Sequence, residues 1–159
     1  MGRQKARPVI TLHDMDGASQ GSSTPVLLYD GECGFCARSV QFVLSHEPAT
    51  RQERLRFAPL QGAFGAQVRA EHPELAGIDS VVWYEPGTNG HSSFRVRSDA
   101  GLMTLQHVGG AWALLAGVGR LAPRVFRDAV YDFIARHRLD LTAPACLLPT
   151  AAQRRRFLP

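Results

Sequence analysis

At 159 residues, 45% apolar and 20% charged, the chain is long enough to bury a core, and it is expected to form one domain over residues 25–159. The net charge of +4 comes from seventeen arginines and one lysine, scattered apart from Arg154-Arg155-Arg156 and without an aromatic-interleaved basic patch, so nucleic-acid binding is not expected. Three cysteines are too few for a disulfide scaffold, no apolar segment follows the basic N-terminus, and the longest apolar stretch, 111–118, is too short for a membrane span; the expected location is cytoplasmic.

Residues 1–24 are polar and read as a flexible tail, although Val9-Ile10-Thr11-Leu12 has the pattern of a short strand. Val26-Leu27-Leu28-Tyr29 is an apolar β-type run, and Asp30-Gly31 is turn chemistry. Cys36, Val40, Val43 and Leu44 then mark one face of a helix over 33–46, which stops before Pro48. A second strand is predicted over 54–58, where Leu55 and Phe57 alternate with Arg54 and Arg56. A right-handed crossover makes these two strands parallel. A helix over 62–71 follows, with Leu60, Phe64 and Val68 on one side, and His72-Pro73 closes it.

Strands over 81–84 and 94–97 flank the turn 85–90 and form an antiparallel hairpin. Ser98-Asp99 is read as the cap of a helix carrying Leu102 and Leu105. Gly109-Gly110 breaks the chain before a helix over 112–118, and Pro123 opens the last long one. There Val125, Phe126, Ala129, Val130, Phe133 and Ile134 form one apolar face, opposite the i, i+4 pairs Arg124/Asp128 and Asp132/Arg136. Residues 142–150 form a proline-punctuated loop holding Cys146, and 154–159 is expected to dock through Phe157-Leu158. The order β-α-β-α-β-β-α is that of an α/β, thioredoxin-like core, here with an extended helical C-terminus.

The candidate chemistry lies at the first strand–helix junction, where Cys33 and Cys36 stand three residues apart. A helix N-terminus carries unsatisfied N–H groups and the positive end of the macrodipole, so a thiolate there is stabilised. Positions i and i+3 are about 5–6 Å apart, within the Cα span of a disulfide. The pattern places Cys33 at the exposed end, as the attacking thiol, and Cys36 on the buried side, as the resolving one. Asp30 has two readings. Its charge either modulates the dithiol or accepts the Cys36 proton, or its carboxylate merely caps the helix. Glu32 is expected only to tune local charge. Metal ligation by the two cysteines would need Cys146 and one of His13, His46, His72, His91, His107 or His137, and no second C-x-x-C or H-x-x-x-H supports it. Cys146 reads as a packed loop cysteine, with a third redox thiol as the alternative, and Trp83 and Trp112 as core rather than a substrate platform.

Asp30-x-x-Cys33-x-x-Cys36 within Leu-Tyr-Asp-Gly-Glu-Cys-Gly-Phe-Cys resembles the DCC family of thiol-disulfide oxidoreductases. The likeness continues through Arg56-Phe57-Ala58-Pro59-Leu60-Gln61, Asp79-Ser80-Val81-Val82, Ser98-Asp99-Ala100, Gly109-Gly110-x-Trp112, Arg127-Asp128-x-x-Tyr131-Asp132 and Arg156-Phe157-Leu158. It implies a thioredoxin-like fold and a dithiol activity, with no settled substrate. A protein or small-molecule thiol or disulfide is the expected partner, and no cofactor is expected. Thioredoxins place a cis-proline just before the third strand; here Ile78-Asp79-Ser80-Val81 stands instead, so a trans peptide and a different substrate edge are expected. The alternatives are a non-catalytic module that holds a metal or a partner through the same cysteines, and an adaptor that uses the apolar C-terminal helices.

Overall fold

A computed structural model describes residues 24–87, 92–141 and 149–159. The expected tail, the tip of the 85–90 turn and the Cys146 loop lie wholly or largely outside the described residues.

The elements in chain order are β1 (Val26–Tyr29), α1 (Gly34–His46), a 3-10 turn (Ala49–Arg54), β2 (Arg56–Pro59), α2 (Ala63–Glu71), a second 3-10 turn (Pro73–Leu75), β3 (Val82–Glu85), β4 (Ser93–Val96), α3 (Arg97–Val108), α4 (Gly110–Leu121), α5 (Arg124–Leu141) and α6 (Ala151–Arg154). The four strands form one sheet in the order β2-β1-β3-β4. β1 runs parallel to β2, with Leu27 opposite Phe57, and antiparallel to β3, with Leu28 opposite Val82. β3 and β4 form the expected antiparallel hairpin. This is the thioredoxin-like arrangement, extended at its C-terminus by helices.

The alternation of strand side chains divides the core in two. Leu27, Tyr29, Phe57 and Trp83 face α1, where Cys33, Cys36, Val40 and Val43 meet them. Val26, Leu28, Ala58, Val82 and Tyr84 face the other side, toward Val68 and Leu75. All four β1 side chains are buried, which is why this central strand reads as a continuous apolar run rather than an alternating one.

Several boundaries differ from the sequence reading for identifiable reasons. β2 starts at Arg56, not Arg54, because its first β1 partner is Val26, and 49–54 form the 3-10 turn. The last strand ends at Val96. Arg97 takes a left-handed φ of 54° and turns the chain directly into α3. Ser98 and Asp99 make no cap bond to that helix. Ser98 Oγ instead donates to Asp128, and Asp99 accepts from Arg127 at 2.8 Å and pairs with Arg124 at 3.4 Å, so this motif clamps α5 onto α3. Arg124 and Asp128 pair as expected, at 3.6 Å, whereas Asp132 reaches Arg97 at 3.7 Å. Trp83 is core; Trp112 is not, being 38% exposed with its edge against Phe42. The apolar face expected on α5 exists but is largely exposed.

The C-terminal segment docks as its sequence suggested. Phe157 pairs with Phe57 in parallel fashion along the free edge of β2, held by Phe57 N–H to Arg156 O at 2.9 Å and Leu158 N–H to Phe57 O at 2.8 Å. Phe64 N–H, in the first turn of α2, donates to Pro159 O at 2.8 Å. Gly62 must be glycine here, because a Cβ would stand 2.9 Å from the Pro159 carbonyl carbon.

Candidate active site at the β1–α1 turn

β1 delivers the chain to the turn at Tyr29, and Leu60 N–H donates to Tyr29 O at 2.8 Å, extending the β1–β2 pairing to its last residue. Asp30 Oδ1 accepts from Glu32 N–H at 3.0 Å, a local Asx-type tie that folds the turn on itself. The same oxygen accepts from Gln61 Nε2 at 2.9 Å, and Gln61 Oε1 accepts from Gly31 N–H at 3.1 Å. One side chain from the far end of β2 therefore grips both residues of the turn. Gly31 permits this close approach, since a Cβ would lie 3.2 Å from Pro59 Cβ.

Cys33 is the N-cap of α1, with extended backbone angles; its N–H donates to Asp30 O at 3.3 Å and its C=O accepts from Ala37 at 3.0 Å. Its side chain makes no cap hydrogen bond. The Asp30 carboxylate organises the turn before the helix through Glu32 N–H and Gln61 Nε2. Cys36 lies in the first turn, facing the sheet. Both cysteines are thiols in this structure, and both are 4% exposed. The expectation of an exposed Cys33 is corrected. Packing of the turn against the sheet places Cys33 in the same apolar cluster as Leu27, Tyr29, Cys36 and Trp83. Glu32, by contrast, is exposed. Burial pushes the Tyr29 phenol above its ordinary range, so it adds no charge beside the dithiol.

The start of β3 lies at the same end of the sheet, because Val82 is opposite Leu28. The described peptides there are trans. Ser80 Oγ is buried without a hydrogen-bond partner among the described residues. A cavity of about 550 Å3 opens between α1, α3 and α5, lined by Leu27, Phe35, Phe42, Val81, Tyr131 and Ile134. Phe35, which stands between the two cysteines, forms part of its wall.

Two features escaped the sequence reading. Gln61 was visible within Arg56-Phe57-Ala58-Pro59-Leu60-Gln61, but its grip on Asp30 and Gly31 depends on parallel pairing that brings residues thirty positions apart together. The other is a buried charge cluster at the far end of α1. Arg156 donates to both Glu47 oxygens, one of them at 2.9 Å, and to Leu55 O at 3.0 Å, while its guanidinium lies 5.0 Å from the centre of the Phe57 ring. His107 Nε2 lies 3.1 Å from Glu47 Oε2. Burial opposes ionisation of Glu47, but the hydrogen bonds and charges of His107 and Arg156 outweigh it and hold the carboxyl below its ordinary range. In sequence, Arg154-Arg155-Arg156 gave no sign that only the third would be buried.

Among the described residues, no three His, Cys, Asp or Glu side chains come together as a metal site. Cys146, His13 and His91, candidate ligands beside Cys33 and Cys36, lie outside the described residues. No helix among the described residues is long and apolar enough to cross a membrane.

Residues 27–143 match the family model described as DCC1-like thiol-disulfide oxidoreductase. The chain is 31% identical over 137 residues to the uncharacterized protein YuxK of Bacillus subtilis, covering 84% of this chain and 93% of that one. It is 30% identical over 115 residues to a chloroplastic DCC family protein of Arabidopsis thaliana, covering 72% of this chain and 62% of that one. No solved structure matches it. The matched span runs from β1 through the Cys33–Cys36 turn to the end of α5, and the chain belongs to the DCC1-like thiol-disulfide oxidoreductase family.

Proposed function

We propose that the chain is a thiol-disulfide oxidoreductase that works through Cys33 and Cys36. The observation that supports this most is the position of the two thiols: one is the N-cap of α1, the other lies in its first turn, and both belong to one buried cluster. An N-cap side chain stands where the orphan N–H groups of the first turn look for an acceptor, so a Cys33 thiolate meets ready donors. Cys33 is the nucleophile. Its thiolate attacks one sulfur of a substrate disulfide, forming a mixed disulfide and releasing one substrate thiolate. The Cys36 thiolate then displaces Cys33's partner, which closes a Cys33–Cys36 disulfide and releases the second thiolate. Two electrons pass to the substrate, and the two protons lost by the cysteines end on its thiols.

Asp30 serves this sequence by ordering the turn and by taking the Cys36 proton as resolution proceeds. Because Cys33 is 4% exposed, attack requires the 30–33 turn to move, which makes the Gln61 grip a control on access. The absence of a proline at 78–81 leaves a substrate edge unlike that of thioredoxins. The low cysteine content fits work in a reducing compartment.

The test is substrate trapping. Cys36→Ser removes the resolving thiol, so mixed disulfides should accumulate on Cys33 and be released by reductant. Cys33→Ser in parallel should trap little. Equal trapping by both variants, or none by either, would argue for a non-catalytic use of the pair.

A further inference from the structure

All ten of the exposed large hydrophobic side chains among the described residues lie on α4 or α5. Both helices rest against α3 on their inner sides. Ala116 is buried in α4, and a Cβ on Gly119 would stand 3.0 Å from Leu102 of α3. The outer stripes are not packed. Leu114, Val118 and Leu121 follow each other at helical spacing on α4, and Val125, Phe126 and Phe133 continue on α5. The two stripes meet at Ala122-Pro123, where Leu121 is 85% and Val125 84% exposed.

The extent of this surface exceeds what a monomer ordinarily shows. Leaving out Trp112, which packs on Phe42, and Ile134, in the cavity wall, and with roughly 150–200 Å2 per side chain of this size, the remaining eight exposures amount to about 800–1,000 Å2 of apolar surface, against about 300–600 Å2 for the largest patch on a typical monomer. A standard interface takes about 800 Å2 from each partner, so two copies of this face supply the area of a stable, apolar homodimer.

Charge separates this occupant from a lipid surface. Interfacial helices bind anionic lipid through free Lys and Arg beside the apolar stripe. Here Arg120, Arg124 and Arg127, which flank the junction of the two helices, are engaged within the chain. Arg120 donates to Gln106 Oε1 at 2.6 Å, Arg127 to Asp99 at 2.8 Å, and Arg124 pairs with Asp99 and Asp128. The N-terminal 23 residues carry a single four-residue apolar run, 9–12, too little to cover ten side chains. An apolar face of this kind meets its own copy across a two-fold axis, as an isologous contact requires.

We propose that the outer face of α4 and α5 is the interface of a homodimer formed by two copies of this chain. The test is sedimentation velocity and light scattering on the full chain across a concentration series at micromolar levels. The expected mass is twice the 17.4 kDa of one chain. Leu121→Glu/Val125→Glu replaces the two most exposed side chains, which the fold itself does not need, and should give a monomer with an unchanged far-ultraviolet dichroism spectrum. A second pair, Leu114→Gln/Val118→Gln, should weaken the dimer in the same direction. A wild-type monomer throughout the series overturns the proposal, as do double variants that stay dimeric. Co-sedimentation of a monomeric wild type with mixed phosphatidylglycerol and phosphatidylcholine vesicles overturns it in favour of a lipid surface.

Discussion

The grip of Gln61 on the β1–α1 turn gives a direct handle on access to Cys33. Gln61→Ala removes two hydrogen bonds, Gly31 N–H to Oε1 at 3.1 Å and Nε2–H to Asp30 Oδ1 at 2.9 Å. A neutral hydrogen bond contributes about 1 kcal/mol net, and one to a charged group about 1.5–3 kcal/mol. Both lie at the solvent-exposed surface of the turn, where water replaces part of what is lost, so on the order of 1–2 kcal/mol of resistance to local opening should disappear. If opening of residues 30–33 precedes reaction, alkylation of Cys33 should then accelerate about 5–30-fold. The assay is pulsed alkylation of the reduced native protein, with the Cys33- and Cys36-bearing modifications resolved by mass spectrometry. Cys36 sits within α1 proper and needs a wider opening, so its rate should change much less. An unchanged Cys33 rate would refute the reasoning. Acceleration of both thiols by the same factor would also refute it, because exposure would then come through global unfolding rather than through the turn.

Other expectations follow from the charge clusters. Glu47→Ala strands the Arg156 guanidinium in the core and should lower the unfolding free energy in urea by about 3–5 kcal/mol, whereas Glu47→Leu/Arg156→Met should recover most of that loss. The Glu47 carboxyl is held below its ordinary value near 4.5, so its contribution is fully present above that value and is lost as pH falls through the lower folded one. Urea midpoints of wild type should therefore drop more steeply than those of Glu47→Gln below about pH 4.5. At the other clamp, Asp99→Asn weakens the Arg127 and Arg124 contacts and should raise amide exchange in α5 selectively, with α1 and the sheet unaffected.

Much of the fold could be read from local pattern, because the elements that carry it have strong periodicity. Val26–Tyr29 is wholly apolar and proved central; Cys36, Val40 and Val43 recur at helical spacing and proved buried. Partner-dependent features were harder to read. Arg54 and Arg56 looked equivalent in an alternating run, but only Arg56 has a β1 residue opposite it. Ser98 and Asp99 have the composition of a cap, yet the left-handed Arg97 starts the helix ahead of them and frees both side chains for α5. Cys33 was placed correctly along the chain but not in depth. Its burial depends on how the 30–32 turn folds against the sheet, which Gln61 helps to fix from a distant position.

The dithiol itself is the central claim, and peptide mapping after equilibration in graded mixtures of reduced and oxidised dithiothreitol tests it most directly. A Cys33–Cys36 disulfide should appear in a single two-electron transition, leave Cys146 as a thiol, and be lost in either cysteine-to-serine variant. Oxidised protein carrying mainly Cys33–Cys146 or Cys36–Cys146, or no disulfide under the most oxidising mixture, would contradict it.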